Sequence, residues 1–152
     1  MPKDHLDALL ANPTEILLKI RTEFGYANCP LTAEAVAIYL ETGKVTKAKR
    51  LLPGQVVVQC SNSIKASMKE VKKALSRHGK HGVITKDAGQ VNREHSANVV
   101  NIRGTIYLVD AYTKPGVFTA GFEKDWPTRV EFSRQWRMRV VPQEAVNEKT
   151  CD

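Results

Sequence analysis

The fold is determined by one stretch of sequence, His95-Ser96-Ala97-Asn98-Val99-Val100-Asn101-Ile102-Arg103-Gly104-Thr105-Ile106-Tyr107-Leu108-Val109-Asp110. Two runs rich in β-branched residues, 95–102 and 105–110, meet at the dipeptide Arg103-Gly104. Strand-forming runs separated by two such residues are typical of a β-hairpin. The sequence therefore predicts an antiparallel sheet with this hairpin in it.

The hairpin register determines whether His95 and Asp110 meet. With Arg103-Gly104 as the loop, Asp110 lies diagonally across from His95 on one face of the sheet. With Ile102-Arg103 as the loop the two residues lie directly opposite, whereas a three-residue loop sends them to opposite faces. Both two-residue registers place imidazole beside carboxylate. The pair is then part of a catalytic site or a structural contact, or else Asp110 simply caps the turn at Ala111-Tyr112.

The rest of the chain reads as helices followed by strands. Helical spacing of apolar residues predicts a first helix broken at Asn12-Pro13, a second to about residue 24, a third over 29–42 and a fourth over 64–75. Short strands are expected near 56–60, 83–85, 117–118, 130–132 and 136–141. The predicted fold class is α+β in a single domain, 1–152, with a core of about 13–141 and a polar tail at 142–152.

The tripeptide Asn28-Cys29-Pro30 places a thiol at the start of the third predicted helix. A helix N-terminus favours the thiolate through its dipole, and a neighbouring imidazole can accept the thiol proton. A carboxylate then holds the imidazole in a useful tautomer. Cys29, His95 and Asp110 are therefore the candidate catalytic residues.

Two blocks resemble the papain-fold toxin domains of bacterial polymorphic toxins. Asn28-Cys29 is followed by Ala35-Val36-Ala37-Ile38-Tyr39-Leu40-Glu41-Thr42-Gly43, and the hairpin supplies the histidine and aspartate blocks. The resemblance, over about residues 26–112, implies a papain-like fold in which N-terminal helices pack on an antiparallel sheet. It implies that Cys29 is the nucleophile, His95 the general base and acid, and Asp110 the orienting acid, without a cofactor or metal.

The resemblance also implies a reaction and a setting. Several such domains are proposed glutamine deamidases, so the expected substrate is a protein carboxamide, with peptide-bond cleavage or transglutamination as alternative acyl chemistry. The Cys29 backbone N–H is expected to bind the oxyanion, with Asn28 as the second candidate donor. Papain-like proteases carry glutamine six residues before the cysteine, where this chain has Glu23. The domain is expected to be delivered as the C-terminal part of a secreted protein, or as a secreted effector, and to act in the target-cell cytoplasm.

Three cysteines cannot pair completely, and no spacing of cysteine and histidine suggests a zinc site. A reducing compartment is the expectation. Cys60, between a strand and a helix start, is the rival nucleophile or else a small buried residue, and Cys151 lies in the tail. His78 and His81 are expected to be surface residues.

The net charge of +7 predicts an acidic partner. Basic residues cluster on the predicted fourth helix and at 44–50. This favours one alternative to protein deamidation, a toxin directed at nucleic acid with His95 as acid and base. A second alternative is a non-catalytic binding module in which Cys29, His95 and Asp110 are structural. The resemblance to toxin domains implies a further explanation of the charge, an acidic immunity protein as a partner. No apolar run is long enough to predict a membrane span.

Overall fold

A computed structural model describes residues 4–21, 29–86, 95–112 and 116–145. The helices are α1 (Asp4–Ala11), α2 (Pro13–Ile20), α3 (Cys29–Thr42) and α4 (Met68–Ala74). The strands are β1 (Gln55–Gln59), β2 (Ile64–Ser67), β3 (His81–Lys86), β4 (His95–Ile102), β5 (Thr105–Asp110), β6 (Val117–Ala120), β7 (Arg129–Ser133) and β8 (Met138–Pro142). The α+β prediction is confirmed.

The β4–β5 hairpin has the register that the Arg103-Gly104 loop predicts. Asn98 pairs with Val109, and the pairing continues in step to the two residues next to the turn. Arg103 and Gly104 both have positive φ, 56° and 92°, as a type I′ turn requires. This turn matches the right-handed twist of the strands and so fixes which residues share a face.

The strands form two antiparallel sheets. The larger sheet has the order β2-β7-β3-β4-β5-β6, and β1 pairs with β8 in a separate two-stranded sheet. β4 therefore lies inside the larger sheet, between β3 and β5. The strand is buried from its second residue to its last, and its buried asparagines, Asn98 and Asn101, donate to the backbone carbonyls of Ala33 and Leu75.

The larger sheet separates two hydrophobic clusters. On one face, residues of α1, α2 and α3 pack with alternate residues of the hairpin, including Val100 and Val109. On the other face, Met68 and Val71 of α4 pack with Val99 and Leu108. The first cluster contains Leu6 and Leu9 of α1, so the hydrophobic core begins before residue 13, where the sequence places its start.

The prediction of one helix over 64–75 is wrong. Residues Ile64–Ser67 form β2, which pairs with β7, and α4 begins only at Met68. The Ser67 hydroxyl accepts from the Glu70 backbone N–H while the Glu70 carboxylate accepts from the Ser67 N–H. This capping box starts the helix at a definite residue. The apolar spacing continued by chance into β2, where Ile64 is 62% exposed.

The remaining boundaries differ by a few residues. α2 ends at Ile20, and the rest of the second helix predicted to residue 24 lies largely outside the described residues. The last predicted strand, 136–141, is observed as Met138–Pro142, with a short 3₁₀ turn after it. In the described part of the chain, no helix combines the length and hydrophobicity needed to cross a membrane.

Candidate active site

His95 and Asp110 lie together, as the hairpin register predicts. His95 Nε2 donates to Asp110 Oδ2 at 2.8 Å. The Asp110 side chain is 6% exposed and the His95 side chain 29%. The carboxylate is thus fixed inside the protein while the imidazole keeps access to solvent, which is the order of burial that an acid–base residue and its orienting partner need.

Asp110 also has a second contact. Its Oδ1 accepts from the Tyr112 backbone N–H at 3.0 Å. The predicted turn cap and the predicted contact with His95 are therefore present at the same time, one on each carboxylate oxygen. Since an ionised carboxylate only accepts hydrogen bonds, the contact places a proton on His95 Nε2. Nδ1 is then the basic nitrogen of the neutral imidazole.

Two side chains flank the imidazole. The rings of His95 and Trp126 have centroids 5.9 Å apart, and the Lys86 ammonium lies 4.7 Å from the Trp126 ring centroid. Lys86 is also the strand partner of His95 across β3 and β4. Sequence spacing does not predict this group, because Trp126 directly follows the 3₁₀ turn Phe122–Asp125 and meets His95 through tertiary packing.

Cys29 is the first residue of α3, as predicted. Its side chain, and the whole of Asn28 and Glu23, lie outside the described residues. The next residue, Pro30, is held by Trp136, whose indole Nε1–H donates to the Pro30 carbonyl at 2.9 Å. One turn further, Glu34 accepts from the Met138 backbone N–H at 3.0 Å. The start of α3 is thus attached to β8 and the segment before it.

A cavity of about 440 Å³ lies beside the start of α3. Its wall combines Pro30 with strand residues of both sheets and with two residues just outside the strands, Ser63 and Trp136. The strand residues are Val57, Gln59, Thr85, Ser96, Glu131 and Met138. Ser96 directly follows His95 in β4, and Thr85 directly precedes Lys86 in β3. The first turn of α3 and the first residue of β4 therefore meet at the same end of the larger sheet.

α3 and the His95 side chain lie on different faces of the larger sheet. The Asn98 side-chain amide donates to the Ala33 carbonyl of α3 at 3.0 Å, so the even-numbered residues of β4 face α3. Side chains alternate along a strand, and His95 therefore lies on the face of Trp126 and α4. α3 therefore packs on the face of the larger sheet opposite the His95 side chain.

Cys60 is disulfide-bonded. A cysteine in a disulfide has no thiolate, so Cys60 in this state is not the nucleophile. The sequence predicts a reducing compartment, whereas a disulfide is typical of an oxidising one. Cys151 lies outside the described residues.

The other histidines have structural contacts. His78 Nδ1 accepts from the Arg103 backbone N–H at 2.7 Å, and His81 Nε2 lies 2.8 Å from Glu41. Within residues 4–21, 29–86, 95–112 and 116–145, no three histidine, cysteine or acidic residues group as metal ligands.

The basic residues are divided among different elements. Lys65 lies on β2 and not on the helix that was predicted for it. Lys72 donates to Glu123, and this hydrogen bond lowers the pKa of the Glu123 carboxyl. The guanidinium of Arg103 donates to both oxygens of Asp7 and lowers the pKa of Asp7. Part of the positive charge therefore stabilises the fold locally.

No protein-family model matches the chain, and no curated protein or solved structure matches it either. The function must therefore be argued from the residues themselves.

Proposed function

We propose that the protein is a papain-like cysteine enzyme that hydrolyses a carboxamide, with a protein glutamine as the substrate. The observation that carries the proposal is the hydrogen bond from His95 Nε2 to the buried Asp110 carboxylate, at the end of the sheet where α3 begins. This pair is the base and its orienter, and Cys29 is the thiol at a helix start. In this proposal the domain acts as a bacterial toxin or effector in the target-cell cytoplasm.

The chemistry follows from the proton on Nε2. His95 Nδ1 accepts the Cys29 thiol proton, and the thiolate attacks the carboxamide carbon of glutamine. The resulting tetrahedral oxyanion accepts a hydrogen bond from the Cys29 backbone N–H, with Asn28 proposed as a second donor. The C–N bond then breaks as His95 returns the proton to the departing ammonia.

Water completes the reaction. His95 takes a proton from a water molecule, and the hydroxide attacks the thioester. The S–C bond then breaks as His95 returns the proton to the departing sulfur, which gives the free thiol and a glutamic acid side chain that ionises to glutamate. Asp110 stays ionised and stabilises the imidazolium in both halves. The net change is glutamine plus water to glutamate plus ammonia, so neither a cofactor nor a metal enters the balance.

Glu23 departs from the pattern of papain-like proteases, which have a glutamine at this position. An ionised carboxylate accepts hydrogen bonds and repels an oxyanion, so it cannot replace the glutamine of papain-like proteases. The +7 net charge supports an acidic immunity protein as the neutralising partner, since opposite charge accelerates association.

Cys29→Ala tests the proposal. The variant is expected to lose growth inhibition in target cells and to lose conversion of glutamine to glutamate in their proteins, by roughly 10⁴-fold or more. Peptide mass spectrometry of target-cell proteins measures the conversion. Cys151→Ala is the matched control and is expected to retain activity. Full toxicity of a folded Cys29→Ala protein would refute the cysteine mechanism.

We also retain a nucleic-acid-directed toxin as the second candidate function. The observation in its favour is the neighbourhood of His95, which lies on the face away from α3 with Lys86 and Trp126. A base, an ammonium and an aromatic ring suit acid–base cleavage of RNA, in which a cation stabilises the phosphate and a ring stacks on a base.

The two candidates differ in their dependence on Cys29. An RNase is expected to lose activity in His95→Ala and to retain it in Cys29→Ala, while the deamidase loses it in both. Incubating the purified protein with total RNA and with tRNA distinguishes them directly. Intact RNA together with loss of toxicity in Cys29→Ala would exclude the RNase.

A further inference from the structure

Cys60 lies at the end of β1, next to the segment that holds the start of α3. Its backbone N–H donates to the Arg137 carbonyl at 2.8 Å. Trp136, the residue before Arg137, donates to the Pro30 carbonyl. Trp136 lines both the cavity that contains Pro30 and Gln59 and a second cavity, of about 690 Å³, that contains Cys60. Pro30, which follows Cys29, and Gln59, which precedes Cys60, therefore lie in the wall of the same cavity.

The chain contains three cysteines, so the disulfide partner of Cys60 is Cys29 or Cys151. β8 runs antiparallel to β1 and ends at Pro142, which pairs with Gln55 at the far end of β1 from Cys60. The Gln143 N–H donates to the Gly54 carbonyl at 2.9 Å, so the chain leaves the two-stranded sheet at that far end. This direction of the chain favours Cys29 as the partner.

We propose that Cys29 and Cys60 form a reversible disulfide that blocks the nucleophile until the protein meets a reductant. The regulatory part rests on the proposed cysteine mechanism, while the cross-link itself does not. A thiol reductant attacks one sulfur of the bond and releases the other as a protein thiol, and a second reductant thiol then attacks the mixed disulfide and releases the remaining protein thiol. Two electrons and two protons pass to the protein, which gains two thiols, and the reductant becomes a disulfide.

This chemistry matches the proposed route of the protein. Disulfides persist in extracellular and periplasmic surroundings and are reduced in the cytosol. The oxidised protein is inactive during export, and the reduced protein is active where its substrate lies. The location of the disulfide explains how one covalent bond can control the enzyme without a change in the fold.

Peptide mapping of the full-length protein, purified without reductant, tests the cross-link. Trypsin separates the cysteines into the fragments 22–44, 51–65 and 150–152, because each of these ranges follows a lysine or arginine and the first two end at a lysine. We expect 22–44 to be joined to 51–65 and to separate after dithiothreitol. A link between 51–65 and 150–152, or three free fragments without reductant, would overturn the proposal.

Alkylation with iodoacetamide tests the block on the thiol. Cys29 in the wild-type protein is expected to be labelled only after dithiothreitol, while in Cys60→Ser it is labelled without it. Cys151→Ser is the control and should behave as wild type. Labelling of wild-type Cys29 without reductant would overturn the proposal.

Activity assays distinguish a failure of the proposed redox control from a failure of the proposed cysteine mechanism. If Cys29→Ala remains toxic, the cysteine mechanism fails, and with it the regulatory role, although the mapped cross-link stands. If Cys29→Ala is inactive and the wild-type protein is fully active without reduction, the mechanism stands and the redox control is refuted. Dithiothreitol-dependent glutamine conversion by wild type, with conversion by Cys60→Ser in its absence, supports both.

Discussion

Among the residues that the structure describes, two histidine–carboxylate pairs have the same 2.8 Å separation and opposite burial. In the pair of His81 and Glu41, the histidine side chain is 11% exposed and the carboxylate 73%. In the pair of His95 and Asp110, the histidine is 29% exposed and the carboxylate 6%. In the first pair the exposed side chain is the acid, Glu41. The second exposes the base and fixes the acid.

The difference shows that distance alone does not identify a catalytic pair. An exposed carboxylate competes with water for its partner and contributes little to orientation. A buried carboxylate held by a second donor, as Asp110 is by the Tyr112 N–H, can set the tautomer of the imidazole. His81 Nδ1 is in addition buried with no hydrogen-bond partner in the described part of the chain, so that nitrogen cannot contact a substrate directly.

Replacing each carboxylate by its amide gives the largest expected contrast. Asp110→Asn should lower the rate of substrate conversion by roughly 10²- to 10⁴-fold, because an amide group can donate to Nε2 and so favour the wrong tautomer. Glu41→Gln should change the rate by less than about twofold, because the His81 pair lies away from the proposed chemistry. Initial rates of glutamine conversion, with folding checked by denaturant titration, measure both. Equal losses in the two variants would remove the distinction between the pairs.

β3, which contains His81, pairs with β4, which contains His95. Gly82→Ala tests the packing of β3. A Cβ at residue 82 would lie 2.6 Å from Phe132 Cε1 and 2.8 Å from the Ser133 carbonyl oxygen. Such overpacking is expected to lower the free energy of unfolding by about 1–3 kcal/mol. Urea denaturation measures it. Gly104→Ala, whose new Cβ meets nothing within 4 Å, separates this contact effect from the backbone strain at positive φ, and an unchanged Gly82→Ala midpoint would contradict the packing.

The Glu70 carboxylate, which accepts from the Ser67 backbone N–H, is a third carboxylate contact to compare with the two histidine pairs. Ser67→Ala removes half of the capping box at α4 and is expected to cost about 1 kcal/mol of stability. Urea denaturation again provides the measurement. Ser76→Ala, at an exposed position just after the helix, should cost less than about 0.5 kcal/mol. Equal effects would mean that the cap does not determine where α4 begins.

The smallest expected effect is the pH dependence that Glu70 contributes. The hydrogen bond from the Ser67 backbone N–H, followed by the one that involves its side chain, lowers the pKa of Glu70 below its ordinary 4.5. Because the folded-state pKa is the lower one, the stabilisation is present above pH 4.5 and is lost as the pH falls through the folded-state value. The stability difference between wild type and Glu70→Gln should therefore narrow below pH 4.5. A constant difference in urea titrations down to pH 3 would contradict this assignment.

Local chemistry made part of the fold predictable. Pro30 in the first turn and Gly43 after the last fixed α3 at 29–42, where Gly43 takes φ +80°. The turn at Arg103-Gly104 fixed the hairpin register and through it the contact of His95 with Asp110. In each case the determining residues lie within a few positions of the structure they determine.

The rest depended on contacts between distant parts of the chain. β2 exists because Ile64–Ser67 pairs with β7, more than sixty positions away, and helical spacing cannot report that pairing. The approach of Trp126 to His95, and the packing of α3 on the face away from His95, likewise follow from which element covers each face of the sheet. The disulfide at Cys60 likewise depends on a contact between distant parts of the chain.

β4 is enclosed by protein on both of its faces from Ser96 to Ile102. Four residues of that interval belong to the two hydrophobic clusters and the other three, Ser96, Asn98 and Asn101, are buried and hydrogen-bonded, so a mutational scan across it should show uninterrupted intolerance that reports the fold. His95 is the one position of the strand that is not buried, so its side chain can change with less disturbance of the fold. Intolerance at that single position, in variants that remain folded, would be the part of the scan that reports chemistry.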